Sequence, residues 1–293
     1  MVAGSVGRPA EIVGPNEGRG QVDHVRLDVR PAVGIIGGSG LYSLLDGGAE
    51  VEVPTPYGPP SDVLTVGSLG GSEVAFLPRH GRDHRHSPHR INYRANLWAL
   101  RALGVRQVLA PCAVGSLQPS LRPGVFVIPD QVVDRTSGRE GTYFDQGAVH
   151  VGFADPYCPA GREAVVNGAA DLGIRTADCG TMVVINGPRY SSRAESEWHA
   201  AQGWAVVNMT GQPEAQLARE LALCYTSIAV VTDMDAGAAD VAPVTHAQVL
   251  AEFEHNIGRL RQLLSVVVPA LPAQRSCGCG AVHDGVDLPI ELP

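Results

Sequence analysis

The sequence predicts an α/β fold in which helices flank a central, mixed β-sheet. Short segments rich in Val and Ile, typical of strands, alternate with segments whose apolar residues recur at helical spacing. Alternation of this kind favours a largely parallel or mixed sheet covered by helices. Neither a break in composition nor an internal repeat divides the chain, so we expect one domain.

The predicted elements follow one another in a regular order. Strands are expected at 33–36, 73–77, 105–110, 125–129, 181–185, 205–209 and 226–232. Helices are expected at 93–103, 193–202, 213–223 and 245–268. Pro213 suits the first turn of a helix and Glu214 suits its positive end. Ser192 and Glu195 have the spacing of a capping box.

The first 31 residues differ from the rest of the chain. They are rich in Gly, Pro and charge without periodicity, so we expect residues 1–31 to be a flexible extension and residues 32–293 to form the domain. They contain no continuous apolar segment of a secretory signal. No apolar run approaches the roughly 20 residues of a membrane span. We therefore expect a cytoplasmic protein that does not bind membranes.

Composition narrows the class of partner. The chain has 293 residues, 44% of them hydrophobic and 18% charged, as in an ordinary soluble globular protein. A net charge of −8 argues against a nucleic-acid partner, although a small anion can bind in a locally basic cavity.

The cysteines predict neither a disulfide framework nor a metal site. Cys277 and Cys279, with His283 nearby, supply three ligands and lack the C-x₂-C spacing of common structural zinc sites. We interpret the tail as a loop with incidental thiols or a redox-sensitive pair, and we expect no metal and no cofactor.

A glycine-rich segment follows the first predicted strand. The sequence GIIGGSG at 34–40 frees backbone N–H groups and the Ser39 hydroxyl to bind an anion. It lacks the Gly-Lys-Ser/Thr of a Walker loop and the G-x-G-x-x-G spacing of a dinucleotide-binding loop. A tight turn between strand and helix remains the alternative.

Other predicted strands also end in polar residues, where ligands bind in α/β sheets. Arg79 and His80 can hold an oxyanion, or belong to a solvated basic loop. Cys112 has no evident activating partner and is better explained as a buried structural thiol than as a nucleophile. The Thr210 hydroxyl can bind an anion at a helix N-terminus. The thioether of Met209 can pack against the face of a sugar, or Met209 can belong to the core.

The last long strand ends in two acids. Asp233 and Asp235 are two residues apart and point to the same side of an extended chain. In a cavity they can accept hydrogen bonds from a nitrogen base or protonate it, whereas elsewhere such a pair is a solvated turn or a metal ligand. Tyr190 and Ser191, just before a helix, are free to contact a ligand ring.

The chain resembles the purine nucleoside phosphorylase/methylthioadenosine phosphorylase family, from about residue 33 to about residue 264. The resemblance is nearest to the methylthioadenosine branch. The motifs that carry it occur in the family's order: GIIGGSGLY, RHGRDH, NYRANLWALRALG, CAVGSL, VIPDQVVDRT, GPRYSSRAES, NMTGQPEAQLARELALCY and TDMD.

The resemblance implies a single-domain nucleoside phosphorylase fold and phosphorolysis without a cofactor, phosphate being a co-substrate. The implied substrate is S-methyl-5′-thioadenosine or a related 5′-substituted adenosine. The products are adenine and 5-methylthioribose 1-phosphate, in purine and methionine salvage. An enzyme for 5′-hydroxyl or 6-oxopurine nucleosides (adenosine, inosine, methylthioinosine) and a non-catalytic nucleoside-binding relative are the alternatives.

The resemblance also assigns roles to residues. The implied phosphate ligands are Ser39, Arg79, His80, Cys112, Ala113 and Thr210. Met209 would lie against the ribose, and Tyr190, Ser191 and Met234 near the substrate. Asp233 would face N7 and the exocyclic amine, and Asp235 would help to hold that amine.

The 5′ pocket implied by the resemblance is shared between subunits. His246 lies where methylthioadenosine enzymes carry small apolar residues and where relatives that prefer a 5′-hydroxyl carry histidine; a surface position at the helix start is the alternative. His150 would reach a neighbouring subunit's pocket, and residues 288–292 would close it. The resemblance therefore implies a homotrimer, or a hexamer formed by two trimers.

Overall fold

The computed structural model describes residues 11–13, 30–38, 40–41, 44–45, 48–236 and 245–293. Within them twelve strands form one mixed sheet. The strands are β1 Glu11–Val13, β2 Val33–Gly37, β3 Ala49–Glu52, β4 Leu64–Leu69, β5 Ser72–Pro78, β6 Gln107–Ser116, β7 Phe126–Val127, β8 Gln131–Arg135, β9 Thr176–Ala177, β10 Thr181–Ile185, β11 Val206–Asn208 and β12 Cys224–Asp233. The helices are α1 Tyr93–Ala102, α2 Pro159–Asp171, α3 Arg193–Ala201, α4 Gly211–Glu220 and α5 His246–Ala270, with short 3₁₀ helices at Pro88–Arg90 and Gly278–Ala281.

The sheet branches at β6. Along one edge β6 pairs in parallel with β12 over most of its length. Along the other edge it pairs with β2 as far as Leu109, and then antiparallel with β11 from Gly115. Between these two registers, residues 110–114 have no strand partner on that edge in the described part of the sheet. The gap opens a cleft at the carboxyl ends of β2, β5 and β12, where ligands bind in such sheets.

Helices cover both faces of the sheet. Residues of α1 and α4 pack with β5 and β6 in one apolar cluster, which includes Leu97, Leu100 and Leu217. Residues of α2 and α5 pack on the other face in a second cluster, which includes Val165 and Leu264. The predicted α/β fold with a flanked mixed sheet is confirmed.

Several observed elements differ from the sequence predictions. Strands β1, β3, β4, β8 and β9 were not predicted. The strand predicted at 105–110 continues as far as Ser116, because the parallel register with β12 extends to Gly115. Helix α2 was not predicted, because its buried residues include Gly161 and Gly168 and its apolar periodicity is weak. The capping box of Ser192 and Glu195 on α3 is confirmed.

The first 31 residues are not wholly without structure. Glu11–Val13 pairs antiparallel with β3 as an edge strand. The prediction for residues 1–10 and 14–29 lies outside the described residues. Among the helices described, none combines the length and apolarity needed to cross a bilayer.

Candidate active site

A cavity of about 430 Å³ lies at the fork of the sheet. Its volume is within the range of small-molecule sites. Basic residues line one part of it and acidic residues another. The lining includes Gly38, Arg79, His80, His84, Arg85, Cys112, Ala113, Gly115, Tyr190, Ser191, Asn208, Met209, Thr210, Asp233, Asp235, Val249, Leu250 and Phe253.

Arg79 follows β5 and is held by α4. Its Nε and Nη2 donate to the two oxygens of Glu214 at 2.8 and 2.9 Å, and its remaining bonds go to the carbonyls of Pro111 and Ile36. Burial opposes the charge of this fully buried group, but Glu214 raises the pKa of Arg79 above its ordinary value. The bidentate side of the guanidinium thus faces Glu214, contrary to the anion clamp expected from sequence. One N–H of Nη1 remains for an anion.

His80 is neutral in this structure. Burial lowers its pKa to about 3, and its Nδ1 lies 2.8 Å from the carbonyl oxygen of His86. A carbonyl only accepts, so Nδ1 carries the proton and Nε2 is an acceptor. The ring stacks on His84 at 4.4 Å. His80 can therefore accept a hydrogen bond from the hydroxyl of a hydrogen phosphate.

The floor of the cavity comes from β6. Burial raises the pKa of Cys112 to about 11, and its Sγ lies 3.7 Å from the hydroxyl of Ser227. It is therefore a neutral thiol, in line with a structural role. The carbonyl of Ala113 accepts from the side chain of Asn208. The N–H of Ala113 lies on the same edge of the strand, toward the gap.

Thr210 lies between β11 and α4. The Asn208 side chain accepts the backbone N–H groups of Thr210 and Gly211 at 2.7 and 2.6 Å, which fixes the start of the helix. Those two donors are consequently not available to an anion. The Thr210 hydroxyl has only a long contact of 3.4 Å to Asn208 and can still donate. The backbone of Gln212 is extended, so the regular turns of α4 begin beyond it rather than directly at Thr210.

Asp233 ends β12 in a network that suits its protonated form. Its Oδ1 accepts from the backbone N–H of Asp235 at 2.9 Å. The Thr232 hydroxyl lies 2.9 Å from Oδ2 of Asp233 and 3.2 Å from the carbonyl of Val114. That hydroxyl has one hydrogen, so both contacts are hydrogen bonds together only when Oδ2 is protonated. Burial also raises the pKa of Asp233.

Two buried polar atoms at the cavity have no partner. Asp235 is 3% exposed, and its Oδ2 has no hydrogen bond to any residue that the structure describes. The same is true of the buried hydroxyl of Ser191. Such atoms are rare in folded proteins and costly unless something binds them. They indicate a ligand that carries hydrogen-bonding groups.

Met209 and Tyr190 form part of the wall, as the sequence predicted, while Met234 does not reach it. Met234 is buried and does not line the cavity. The extended chain expected here ends with β12 at Asp233, and Asp235 has a left-handed backbone with φ of 44°. Burial raises the pKa of Tyr190, and the nearby Asp233 raises it further. Apolar side chains of α5 complete the wall.

Some predicted site residues are not tested by this arrangement. Ser39 and the side chain of His246 lie outside the described residues, although Gly38 next to Ser39 lines the cavity. His150 is exposed and does not line this chain's cavity. In the tail, Ile290 and Leu292 pack against the chain's own core.

Sequence reasoning missed three residues that shape the site. Glu214 was assigned only to a helix start, yet it holds Arg79. A Cβ at Gly115 would lie 2.9 Å from Oδ1 of Asp233, so this glycine makes room for the acids. Asn208 links β6, β11 and α4. Only the position of Asn208 at a strand end could have indicated its role.

Comparison with known proteins gives consistent matches. The chain is similar to a purine nucleoside phosphorylase of Streptomyces coelicolor, 56% identical over 276 residues, covering 90% of this chain and 99% of the relative. It is similar to an S-methyl-5′-thioadenosine phosphorylase of Mycolicibacterium smegmatis, 57% identical over 263 residues, covering 89% and 99%. A methylthioadenosine phosphorylase from Schistosoma mansoni, solved in complex with adenine, has a TM-score of 0.82 and 37% identity, covering 86% of this chain and 95% of that chain.

A family model described as the phosphorylase superfamily matches residues 32–269. This span contains β2 to α4, β12 and nearly all of α5, and it includes every residue that lines the cavity. The chain belongs to the phosphorylase superfamily.

Proposed function

We propose that the protein catalyses phosphorolysis of S-methyl-5′-thioadenosine, or of a closely related 5′-substituted adenosine, to adenine and the pentose 1-phosphate. The observation that carries the proposal is the buried, unpartnered Oδ2 of Asp235 beside Asp233, in a cavity that also contains Arg79. A 6-aminopurine supplies the missing donor, and phosphate supplies an anion for the basic end.

The basic end suits phosphate. Three groups can donate to phosphate: the unused N–H of Arg79, the Thr210 hydroxyl and the N–H of Ala113. Nε2 of His80 can accept a hydrogen bond from the hydroxyl of a hydrogen phosphate. Ser39 is proposed as a further donor on the evidence of its sequence alone. Arg79, His80 and Thr210 are held before any ligand binds, so little reorganisation opposes binding.

The acidic end suits a 6-aminopurine. An exocyclic amine can donate to Oδ2 of Asp235, whereas a 6-keto oxygen would face a carboxylate that offers no hydrogen. A protonated Asp233 can donate to N7 when its hydrogen turns from the Thr232 hydroxyl to the base, and that hydroxyl still donates to Val114. Ser191 can donate or accept at the edge of the base.

The apolar wall suits a methylthio group. Val249, Leu250 and Phe253 of α5 line the same cavity as the acids. A thioether buries more apolar surface than a hydroxyl and leaves no polar group unsatisfied there.

In the proposed reaction a phosphate oxygen forms a bond to C1′ while the bond from C1′ to N9 breaks. The bonding electrons pass to the purine, and Asp233 donates a proton to N7 as they arrive, which keeps the leaving base neutral. The hydrogen phosphate releases its proton to solvent as the ester forms, and Asp233 regains one from solvent. Positive charge on the ribose lies next to the bound phosphate, which stabilises it. No cofactor takes part in these steps.

A second candidate is a purine nucleoside phosphorylase for 5′-hydroxyl or 6-oxopurine nucleosides. It is favoured by the 56% identity to the relative of that name and by His246 at the start of α5. Replacing His246 by Val discriminates between the candidates. If His246 binds a 5′-hydroxyl, the preference for methylthioadenosine over adenosine rises; an unchanged ratio excludes that role.

The test is a panel of nucleosides varied at C6 and C5′, each assayed with and without phosphate. Methylthioadenosine should release adenine only with phosphate, and faster than adenosine, inosine or methylthioinosine. Release without phosphate would identify a nucleosidase instead. The absence of turnover across the panel would contradict the proposal.

We also propose that the enzyme is a homotrimer or a hexamer of two trimers. His150 is exposed and outside its own chain's cavity, so it is available to a neighbouring subunit. Light scattering, recorded as the protein elutes from a size-exclusion column, measures the mass of the oligomer. A monomer with full activity would contradict a site shared between subunits.

A further inference from the structure

Four cysteines from distant parts of the chain meet at one point. The Sγ atoms of Cys158, Cys224, Cys277 and Cys279 all lie within 4.8 Å of one another. Cys277 Sγ lies 3.7 Å from that of Cys158 and 3.3 Å from that of Cys224. A tetrahedron with bonds of about 2.3 Å from metal to sulfur has edges of about 3.8 Å. The thiols are therefore already close to the arrangement of a four-sulfur metal site.

The donor set differs from the one considered on sequence. Cys277 and Cys279 were set aside because His283 gave only a third ligand. His283 is not part of the cluster. Its Nε2 lies 2.6 Å from the carbonyl oxygen of Glu220, and its ring contacts Phe144. The third and fourth sulfurs come from the residue before α2 and from the first residue of β12.

The cluster is closed and far from the active site. Three of the four thiols are buried, and they form an apolar cluster of their own together with Ala160 and Cys277. Cys224 begins the ten-residue strand that ends at Asp233, which separates the cluster from the acids by about 30 Å at 3.3 Å per residue. Structural zinc sites are four-coordinate and closed, whereas catalytic ones keep an open position.

We propose that these four cysteines form a structural tetrathiolate site for Zn²⁺, which fastens the C-terminal tail to the domain. Each thiol that binds releases its proton to solvent, and the metal takes the four sulfurs as ligands. Thiolate ligands in tetrahedral geometry select zinc or iron, and zinc needs no redox partner.

The surroundings favour thiolates at this point. Cys158 is the N-cap of the 13-residue helix α2, and its side chain makes no capping bond. A helix N-terminus stabilises a thiolate. Arg219 lies close enough to Cys279 to interact with it electrostatically. Nε of Arg219 is buried and has no hydrogen-bond partner in the described part of the chain, so a negatively charged cluster would complement it.

The site would link three segments of the fold. It joins the start of α2, the start of β12 and the segment after α5, whose residues Ile290 and Leu292 pack on the core. Fixing that segment by metal adds to folding stability, because the unfolded chain has no preformed site.

The first experiment measures metal in the full-length protein purified with a mild reductant after expression in medium containing zinc. Elemental analysis should find about one zinc per chain, as a four-ligand site requires. Exchange with Co²⁺ should give the visible absorption of tetrahedral cobalt thiolate. A chelator with denaturant should release the zinc and expose five additional reactive thiols, namely the four ligands and the buried Cys112.

Variants locate the metal. Replacing both Cys277 and Cys279 by Ser should reduce zinc to less than about a fifth of an equivalent, because two of the four ligands are gone. Cys179→Ser is the matched control, since Cys179 is exposed and outside the cluster, and it should keep the full equivalent. Equal zinc in the double variant and the control would overturn the proposal.

Measurements on the unmodified protein decide the question even if the variants do not fold. Absence of zinc, and failure to take it up after reduction, would overturn the proposal. So would iron in its place. Disulfides among the four cysteines that persist under mild reductant, with no metal bound, would also overturn it.

Discussion

Replacing Asp233 with Asn should change the enzyme's choice of base with little change in its stability. An Asn at this position fits the existing network: its Oδ1 can accept from the backbone N–H of Asp235, and its Nδ2 can donate to the Thr232 hydroxyl. That hydroxyl can then donate to Val114. The thermal midpoint should therefore stay within experimental error of the unmodified protein.

Two effects on catalysis can be separated by magnitude. Loss of proton donation to N7 affects every purine, and general acids contribute about 10²- to 10⁴-fold. The second effect depends on the 6-substituent, because the Asn amide can donate to a 6-keto oxygen but not to an exocyclic amine. Such a hydrogen bond contributes about 0.5–1.5 kcal/mol, or roughly 2- to 10-fold. The ratio of kcat/KM for methylthioadenosine to that for methylthioinosine should fall by about this factor.

The assay measures initial rates of base release from both nucleosides at saturating phosphate. Asp171→Asn is the control, because Asp171 is an exposed acid at the end of α2. It should leave both rates unchanged. If Asp233→Asn lowers kcat/KM equally for the two nucleosides, Asp233 does not distinguish the 6-substituent and the assignment of the base end is wrong.

Three further predictions test the rest of the site. Glu214→Gln leaves the buried charge of Arg79 uncompensated and should lower the free energy of unfolding by about 3 kcal/mol in urea titrations, with a higher KM for phosphate; a loss below about 1 kcal/mol would contradict the buried pair. Between pH 6.5 and about 3 the unfolded chain binds a proton at His80 that the folded chain does not, so stability falls with acid. His80 should account for about 2 kcal/mol of the loss from pH 7 to pH 5, and His80→Gln should remove that part; an unchanged pH dependence would show that His80 is not buried in its neutral form. Gly115→Ala places a Cβ 2.9 Å from Oδ1 of Asp233 and should lower kcat/KM about tenfold by displacing that carboxylate, and unchanged kinetics would show that the acids tolerate the shift.

The sequence predicted the fold well because local patterns determine most of it. The Val- and Ile-rich strands and the amphipathic helices α1, α3 and α5 carry clear periodicity. Helix α2 carries little, since Gly161 and Gly168 allow close packing instead. The second half of β6 reads as a loop because its small residues have no strand pattern, and only pairing with the distant β12 makes it a strand.

The sequence indicated which side chains line the cavity more readily than it indicated their interactions. Strand ends indicated Arg79, His80, Thr210 and the two aspartates, all of which line one cavity. What each side chain bonds to depends on distant partners. Arg79 meets Glu214 across 135 positions, and no local pattern in the chain reports that pairing. The four cysteines are a second case, because their proximity arises only from the fold.

The central claim is that phosphate and a 6-aminopurine nucleoside meet in the cavity at the fork of the sheet. A crystal structure with phosphate and a non-hydrolysable methylthioadenosine analogue tests it most directly. We predict phosphate oxygens in hydrogen-bond contact with Arg79 Nη1 and the Thr210 hydroxyl, and the exocyclic amine in contact with Oδ2 of Asp235. Phosphate bound elsewhere, or a base that leaves Asp235 without a partner, would contradict the account.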